Sequence, residues 1–335
     1  MGSSHPKPPA QDPIPAHDTP ILGMTERPRV PAPAMYGDAG NFWVEYPSGL
    51  VDVSRTSPLP KTSTANINPP AINLESQMDI HVDGDRVVRV DRKRTALVVI
   101  DMQNFFLHPD LRAHPLGLEC VQPLMNVVPA LRSAGSKILW VNWGLTEHEL
   151  STIPPALIRG FKKHNAAGGF GSDLPGDFGR LLMRGAYNSE LYGPLQAEFK
   201  KGEKEGTDVW IHKNRMSGLW GYQTALDLYL KENGITTLLF AGVNADQVSG
   251  RFRQPAPPTL PSTAISLSHE ASYRGCVLGT LVDAYFRGYD CIVLKDATAT
   301  TSPEGAYESV IYNSGGSYGF VTDTGRVIAG SAVKA

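Results

Sequence analysis

The stretch "TALVVID", residues 95–101, decides how the rest of the chain is read. A strand with one wet face alternates apolar and polar residues, whereas this run is continuous up to its closing acid. Continuity marks a strand buried on both faces, the habit of parallel sheets covered by helices. Working outward, the same signature recurs in "KILWVNW" (137–143), "DVWIHK" (208–213), "TTLLFAGV" (236–243), "DCIVLKDAT" (290–298) and the short "GFVTDT" (319–324). Between these runs the apolar period lengthens to that of helices. "CVQPLMNVVPALRSAG" closes at Gly135, "GYQTALDLYLKENG" at Gly234, and "CVLGTLVDAYFRG" and "PEGAYESVIYN" follow. Strands alternating with helices predict an α/β domain, a parallel sheet layered with helices on both faces. No internal repeat is visible.

Upstream the pattern differs. Residues 1–34 are dense in proline and poor in large apolar groups, so they bury too little to offset their ordering entropy and are expected to be disordered. Residues 35–90 read as an arm with two hairpins. One lies in 41–56, where "NFWVEYPSGLVDVSR" turns at Pro-Ser-Gly, and the other in "DIHVDGDRVVRVD" (79–91), turning at Asp-Gly-Asp. The arm is expected to pack on the main domain or on a second copy of the chain. The main domain is expected over 91–325, with a tail from 326 to 335.

Composition narrows the function classes. With 41% hydrophobic and 19% charged residues, the 335-residue chain can bury a large core. A net charge of −2 offers nothing to nucleic acid or an anionic membrane. No apolar run is long enough to span a bilayer, and three cysteines (Cys120, Cys276 and Cys291) are too few for a disulfide framework. The expected location is the cytoplasm, and the expected partner a small molecule.

Ligands of open parallel sheets bind beyond the carboxyl ends of the strands. Asp101, Asn142 and Lys213 stand at three such ends, and Cys276 opens a helix after a fourth. A helix N-terminus and an ammonium both favour thiolate over thiol. A carboxylate can take the thiol proton and return it to a leaving amine, and turn amides can hold an oxyanion. Taken singly, each residue has a plainer role: a core cysteine, a helix-capping aspartate, a solvated lysine.

The words around these residues resemble the isochorismatase-like cysteine hydrolases: "ALVVIDMQNFF", "IHKNRMSGL", "FAGVNADQ" with "CVLGTLVDAYFRGYD", and "DATATTSPEGAYES" (296–309). The resemblance covers roughly residues 80–325. It implies a three-layer α/β/α, Rossmann-like fold with a six-stranded parallel sheet, and an Asp-Lys-Cys triad carried by Asp101, Lys213 and Cys276. It also implies a non-proline cis peptide after Val243, in a turn where Asn244, Gln247 and Gly275 border the oxyanion site. Metal-binding relatives carry Asp-x-His after the second strand; Asn142, Trp143 and Gly144 stand here, so no metal and no cofactor are expected. Relatives acting on the vinyl ether of isochorismate commonly lack the cysteine, and its presence favours an amide or ureido carbonyl. "VNWG", "FKKHNA" (161–166) and "NRMSG" (214–218) are most similar to the ureidoacrylate amidohydrolase and biuret hydrolase branch. Asn142, Trp143, Arg215 and Ser217 are then candidates for gripping substrate, although Trp143 is equally a packing residue. A homo-oligomer is expected.

Residues 248–275 stand apart. Joining Gln247 directly to Cys276 restores an unbroken motif, and the intervening stretch is rich in proline and serine without periodicity. An intron translated in frame would look like this, and so would a surface loop controlling access. Splitting the nucleophile turn leaves three readings: a C–N hydrolase, an impaired pseudoenzyme or assembly subunit, and an isochorismatase acting on a vinyl ether.

Overall fold

The computed structural model of the chain describes residues 28–60, 68–112, 114–163, 168–246, 275–303 and 305–332. The expected disordered tail lies outside them up to residue 27, as does the stretch 247–274 that holds Gln247 and almost all of the insertion. Among the described residues no helix is long and apolar enough to cross a membrane.

The arm supplies β1 (Ala34–Gly37), β2 (Phe42–Glu45), β3 (Leu50–Asp52), β4 (Gln77–Val82) and β5 (Arg86–Asp91). They form one sheet in the order β1-β2-β3-β5-β4. β2 pairs antiparallel with β3, and β4 with β5. The main domain supplies β6 (Thr95–Ile100), β7 (Lys137–Trp143), β8 (Asp208–Lys213), β9 (Thr237–Val243), β10 (Asp290–Ala299) and β11 (Gly319–Thr322). These six make an all-parallel sheet in the order β11-β10-β9-β6-β7-β8. The strand order reverses direction between β6 and β9, so the crevice beyond their carboxyl ends is where a ligand belongs.

The period-2 geometry of a strand sorts β6 between two cores. Leu97 and Val99 face one, with Leu124, Val127 and Leu131 of helix α1 (Val121–Ser133) and Leu195 and Phe199 of α2 (Pro194–Glu205). Ala96, Val98 and Ile100 face the other. There they meet Leu226 and Leu230 of α3 (Ala225–Glu232), Val277 and Leu281 of α4 (Cys276–Phe286), and Ile311 of α5 (Ala306–Asn313). The result is the expected three-layer arrangement.

Two features go beyond the sequence reading. The arm shares the first core through Met78, Ile80, Val88 and Val90. It is also fastened by charge: buried Asp290 at the start of β10 accepts both Nη groups of Arg55 at 2.7 Å and Nε1 of Trp43 at 2.6 Å. The expected tail from 326 is a correction. Asp323 caps helix α6 (Thr324–Ser331) by accepting from the amide of Arg326. The helix packs so closely on β4 that a Cβ at Gly330 would fall 2.3 Å from the carbonyl oxygen of Asp79.

Candidate active site

Three strand ends and one helix start converge at the carboxyl edge of the sheet. Asp101 follows β6 directly, with φ +54. That left-handed conformation costs a non-glycine residue about 1 kcal/mol, and aspartate tolerates it better than most. Lys213 is the last residue of β8, and Cys276 the first of α4.

Lys213 Nζ lies 2.9 Å from Asp101 Oδ2 and 3.5 Å from Cys276 Sγ, and it donates to the carbonyl of Arg215 at 3.2 Å. Its ammonium also sits over the ring of Trp143, 4.0 Å from the centroid. Asp101 and Cys276 are completely buried and Lys213 nearly so. The Asp101 carboxylate faces the Lys213 ammonium, the Cys276 thiol and the Trp143 amide. Burial pushes the Asp101 carboxyl above its ordinary value, against the pull of the Lys213 ammonium.

In the structure, burial works against the thiolate that the helix start and the ammonium favour. Burial first, and then the Asp101 charge, push the Cys276 thiol up; Lys213 opposes them but does not prevail. Burial thus favours the neutral thiol, beside a carboxylate that can take its proton. The other cysteines are no rivals, since Cys120 is raised by burial to about 12 and Cys291 is raised for the same reason.

The turn before Cys276 is held together on both sides of the residues that lie outside the described ones. The Val243–Asn244 peptide is cis. The amides of Val277 and Leu278 donate to the carbonyls of Asn244 and Ala245 at 3.2 and 3.0 Å, so the helix start is stitched to the strand end. Gly275 lies so close to Asp246 that a Cβ on it would fall 2.1 Å from the Asp246 carbonyl carbon. The amides of Val277 and Leu278 are thus spent within the turn.

The other candidate residues divide. Asn142 is buried with both carboxamide atoms unpartnered among the described residues, an unusual state for a buried amide. Trp143 packs between Lys213 and the rings of Phe161 and Phe170, while its indole N–H lacks a partner there. Arg215 is committed to its own surroundings, donating to the carbonyls of Asn214 and Thr152 and stacking on Trp220. Ser217 Oγ accepts from the amide of Leu219. Gly144 is explained by packing, because a Cβ there would lie 2.1 Å from His212 Nδ1. His148 is exposed on the helix Glu147–Thr152.

Two residues escaped the sequence reading. Gln103 clamps β7 beside the triad, donating to the carbonyls of Trp143 and Ser189 and accepting from the Trp143 amide. His114 caps the helix Pro115–Glu119 and reaches the side chain of Asn244 at 2.7 Å. The available signal for His114 was its place immediately before a proline, the usual first residue of a helix.

Comparison with known proteins places this geometry. The model of the Isochorismatase domain matches residues 95–248 and 272–324, breaking where the insertion lies. The chain is 28% identical over 243 residues to ureidoacrylate amidohydrolase RutB of Caulobacter segnis, covering 71% of this chain and 85% of that protein. A cysteine hydrolase from Pseudomonas syringae pv. phaseolicola superposes with a TM-score of 0.51 at 20% identity, covering 72% of this chain and 94% of the other. N-carbamoylsarcosine amidase from Thermoplasma acidophilum matches at 25% identity, with a TM-score of 0.45 over 69% of this chain and 96% of its own. The family model matches more than half of the chain, and the chain belongs to the isochorismatase domain family.

Proposed function

We propose that the protein hydrolyses a C–N bond in a small amide or ureido compound, with Cys276 as nucleophile, Asp101 as proton carrier and Lys213 as electrostatic partner of both. The observation that carries this reading is the buried arrangement of the three. Lys213 Nζ stands 2.9 Å from Asp101 and 3.5 Å from the Cys276 sulfur, at the mouth of a sheet whose relatives include an amidohydrolase.

The chemistry follows from the resting state. Sγ attacks the carbonyl carbon as its proton passes to Asp101, and the raised affinity of that carboxyl for a proton suits it to the task. The oxyanion is held by the amides of Gly275 and Cys276. Asp101 then protonates the leaving nitrogen, the C–N bond breaks, and an acyl-thioester remains on Cys276. Water, deprotonated by Asp101, attacks the thioester and releases the acid and the free thiol. Throughout, Lys213 offsets the negative charge that moves between carboxylate and sulfur.

Asn142 supports a small polar substrate. Its unpartnered carboxamide would be satisfied by a substrate N–H or carbonyl, and sites left with unpaired polar groups reject ligands that cannot pair them. Arg215 and Ser217 serve in this reading as loop ties, and Trp143 as the wall that backs the ammonium. Cys276→Ala tests the assignment. Ammonia release from ureido acids, biuret and simple amides should vanish in that variant, and full turnover without the sulfur would refute the mechanism.

A further inference from the structure

The buried or half-buried arginines of this chain mostly face carboxylates: Arg55 faces Asp290, Arg86 Glu45, Arg89 Asp79 and Arg132 Asp208. Arg112 does not. Its guanidinium makes no hydrogen bond or ion pair among the described residues, and lies 5.6 Å from the centroid of the Phe105 ring. Yet its charge is felt by the Cys276 sulfur and by the His114 imidazole. Burial pushes Arg112 below its ordinary value, and no carboxylate among the described residues counters it. A desolvated cation without an anion is costly, and this one lies two residues from His114, whose ring reaches Asn244 in the turn before Cys276.

His114, two residues on, adds direction. Its Nδ1 accepts from the amide of Gly117 at 2.9 Å, so in the neutral ring the proton lies on Nε2 and is donated to Asn244 Oδ1 at 2.7 Å. Burial, with Arg112 acting in the same sense, keeps the ring neutral. The Asn244 carboxamide is thereby fixed with its oxygen toward His114. Its Nδ2 is left buried and without a partner among the described residues. Asn244 belongs to the nucleophile turn, since its carbonyl accepts from Val277.

We propose that Arg112 and Asn244 form a subsite for a carboxylate carried by the substrate beside the scissile C–N bond, with His114 as the positioning residue that turns Asn244 Nδ2 toward it. The inference rests on the hydrolase reading for its location and names the substrate class: a short ureido or amido acid rather than a neutral amide. The carboxylate would supply the missing counter-charge to the guanidinium and the missing acceptor to the amide.

Equilibrium binding to the full-length Cys276→Ala protein tests it without turnover. The probes are ureidoacetate, 3-ureidopropionate and 4-ureidobutyrate, each beside a neutral alkylurea of matching length. At least one acid should bind about tenfold or more tightly than its neutral partner. Arg112→Gln should erase that preference while leaving the neutral ligand alone, and Asn244→Ala should reduce it. His114→Gln, whose side-chain N–H can still donate to Asn244, should keep more of the preference than His114→Leu. The proposal is overturned if no acid in the series is preferred, or if Arg112→Gln weakens acid and neutral ligand alike. Should Arg112→Gln fail to fold, the acid-against-neutral comparison in the Arg112-bearing protein still decides. An acid preference without turnover of any C–N substrate by the unsubstituted protein would instead count against the hydrolase reading alone.

Discussion

Removing residues 248–275 makes Gln247 the chain neighbour of both Asp246 and Cys276, and the flanking structure sets the expected size of the effect. The helix start and strand end are already stitched by the bonds from Val277 to Asn244 and from Leu278 to Ala245. A Cβ at Gly275 would fall 2.1 Å from the Asp246 carbonyl carbon, so the two ends already meet and a direct connection has little backbone to move. What the deletion recovers is loop-closure entropy, about 3 kcal/mol for a loop of this length. At roughly 2 °C per kcal/mol for a chain of this size, the melting temperature should rise by about 6 °C. Turnover should rise too. Gly275 restrains the amide before the nucleophile less than a residue held between Asp246 and Cys276 would, and recovering about 1.4 kcal/mol of barrier gives a tenfold gain. Scanning calorimetry and initial rates on one substrate, for the two proteins side by side, measure both effects. A lower melting temperature or slower turnover in the deletion variant would refute the reasoning and make the insertion a working part of the enzyme.

Asp101→Asn should lower kcat by about a hundredfold or more through loss of the proton carrier. It should also cost about 3–5 kcal/mol in denaturant unfolding, by stranding the buried Lys213 ammonium. Adding Lys213→Met should restore much of the stability and none of the activity. The acid limb of kcat/KM should lie above pH 3.8, the ordinary aspartate value, because burial raises Asp101 and the rate falls as pH drops through the value at which this base is protonated. A full pH profile with its limb at or below 3.8 would contradict that.

Strands such as "TALVVID" and "TTLLFAGV" were legible because burial on both faces leaves a continuous apolar run, and their carboxyl ends pointed to Asp101 and Lys213. Helix α6 was not. "TGRVIAGS" carries two glycines and two β-branched apolar residues, a weak helix former by itself, and its packing against β4 and α1 is a tertiary effect. The Asp323 cap was the one local sign. The helix start and ammonium that favour a thiolate can be read in sequence, whereas the complete burial beside a carboxylate that opposes it cannot. Arg215 and Ser217 look like ligand residues in sequence, and the hydrogen bonds they make in the structure run within a few residues or to Thr152. The link from His114 to Asn244 joins residues 130 apart, and no local pattern announces it.

The central claim is that Cys276 forms a covalent bond with the carbonyl carbon of the substrate during turnover. Rapid acid quenching during steady-state hydrolysis, followed by mass measurement of the intact protein and its peptides, tests this most directly. The account predicts an adduct of the mass of the acyl part of the substrate on the peptide that contains Cys276, removed by hydroxylamine and absent from Cys276→Ala. Undiminished turnover with no adduct, or an adduct confined to Cys120 or Cys291, would contradict it.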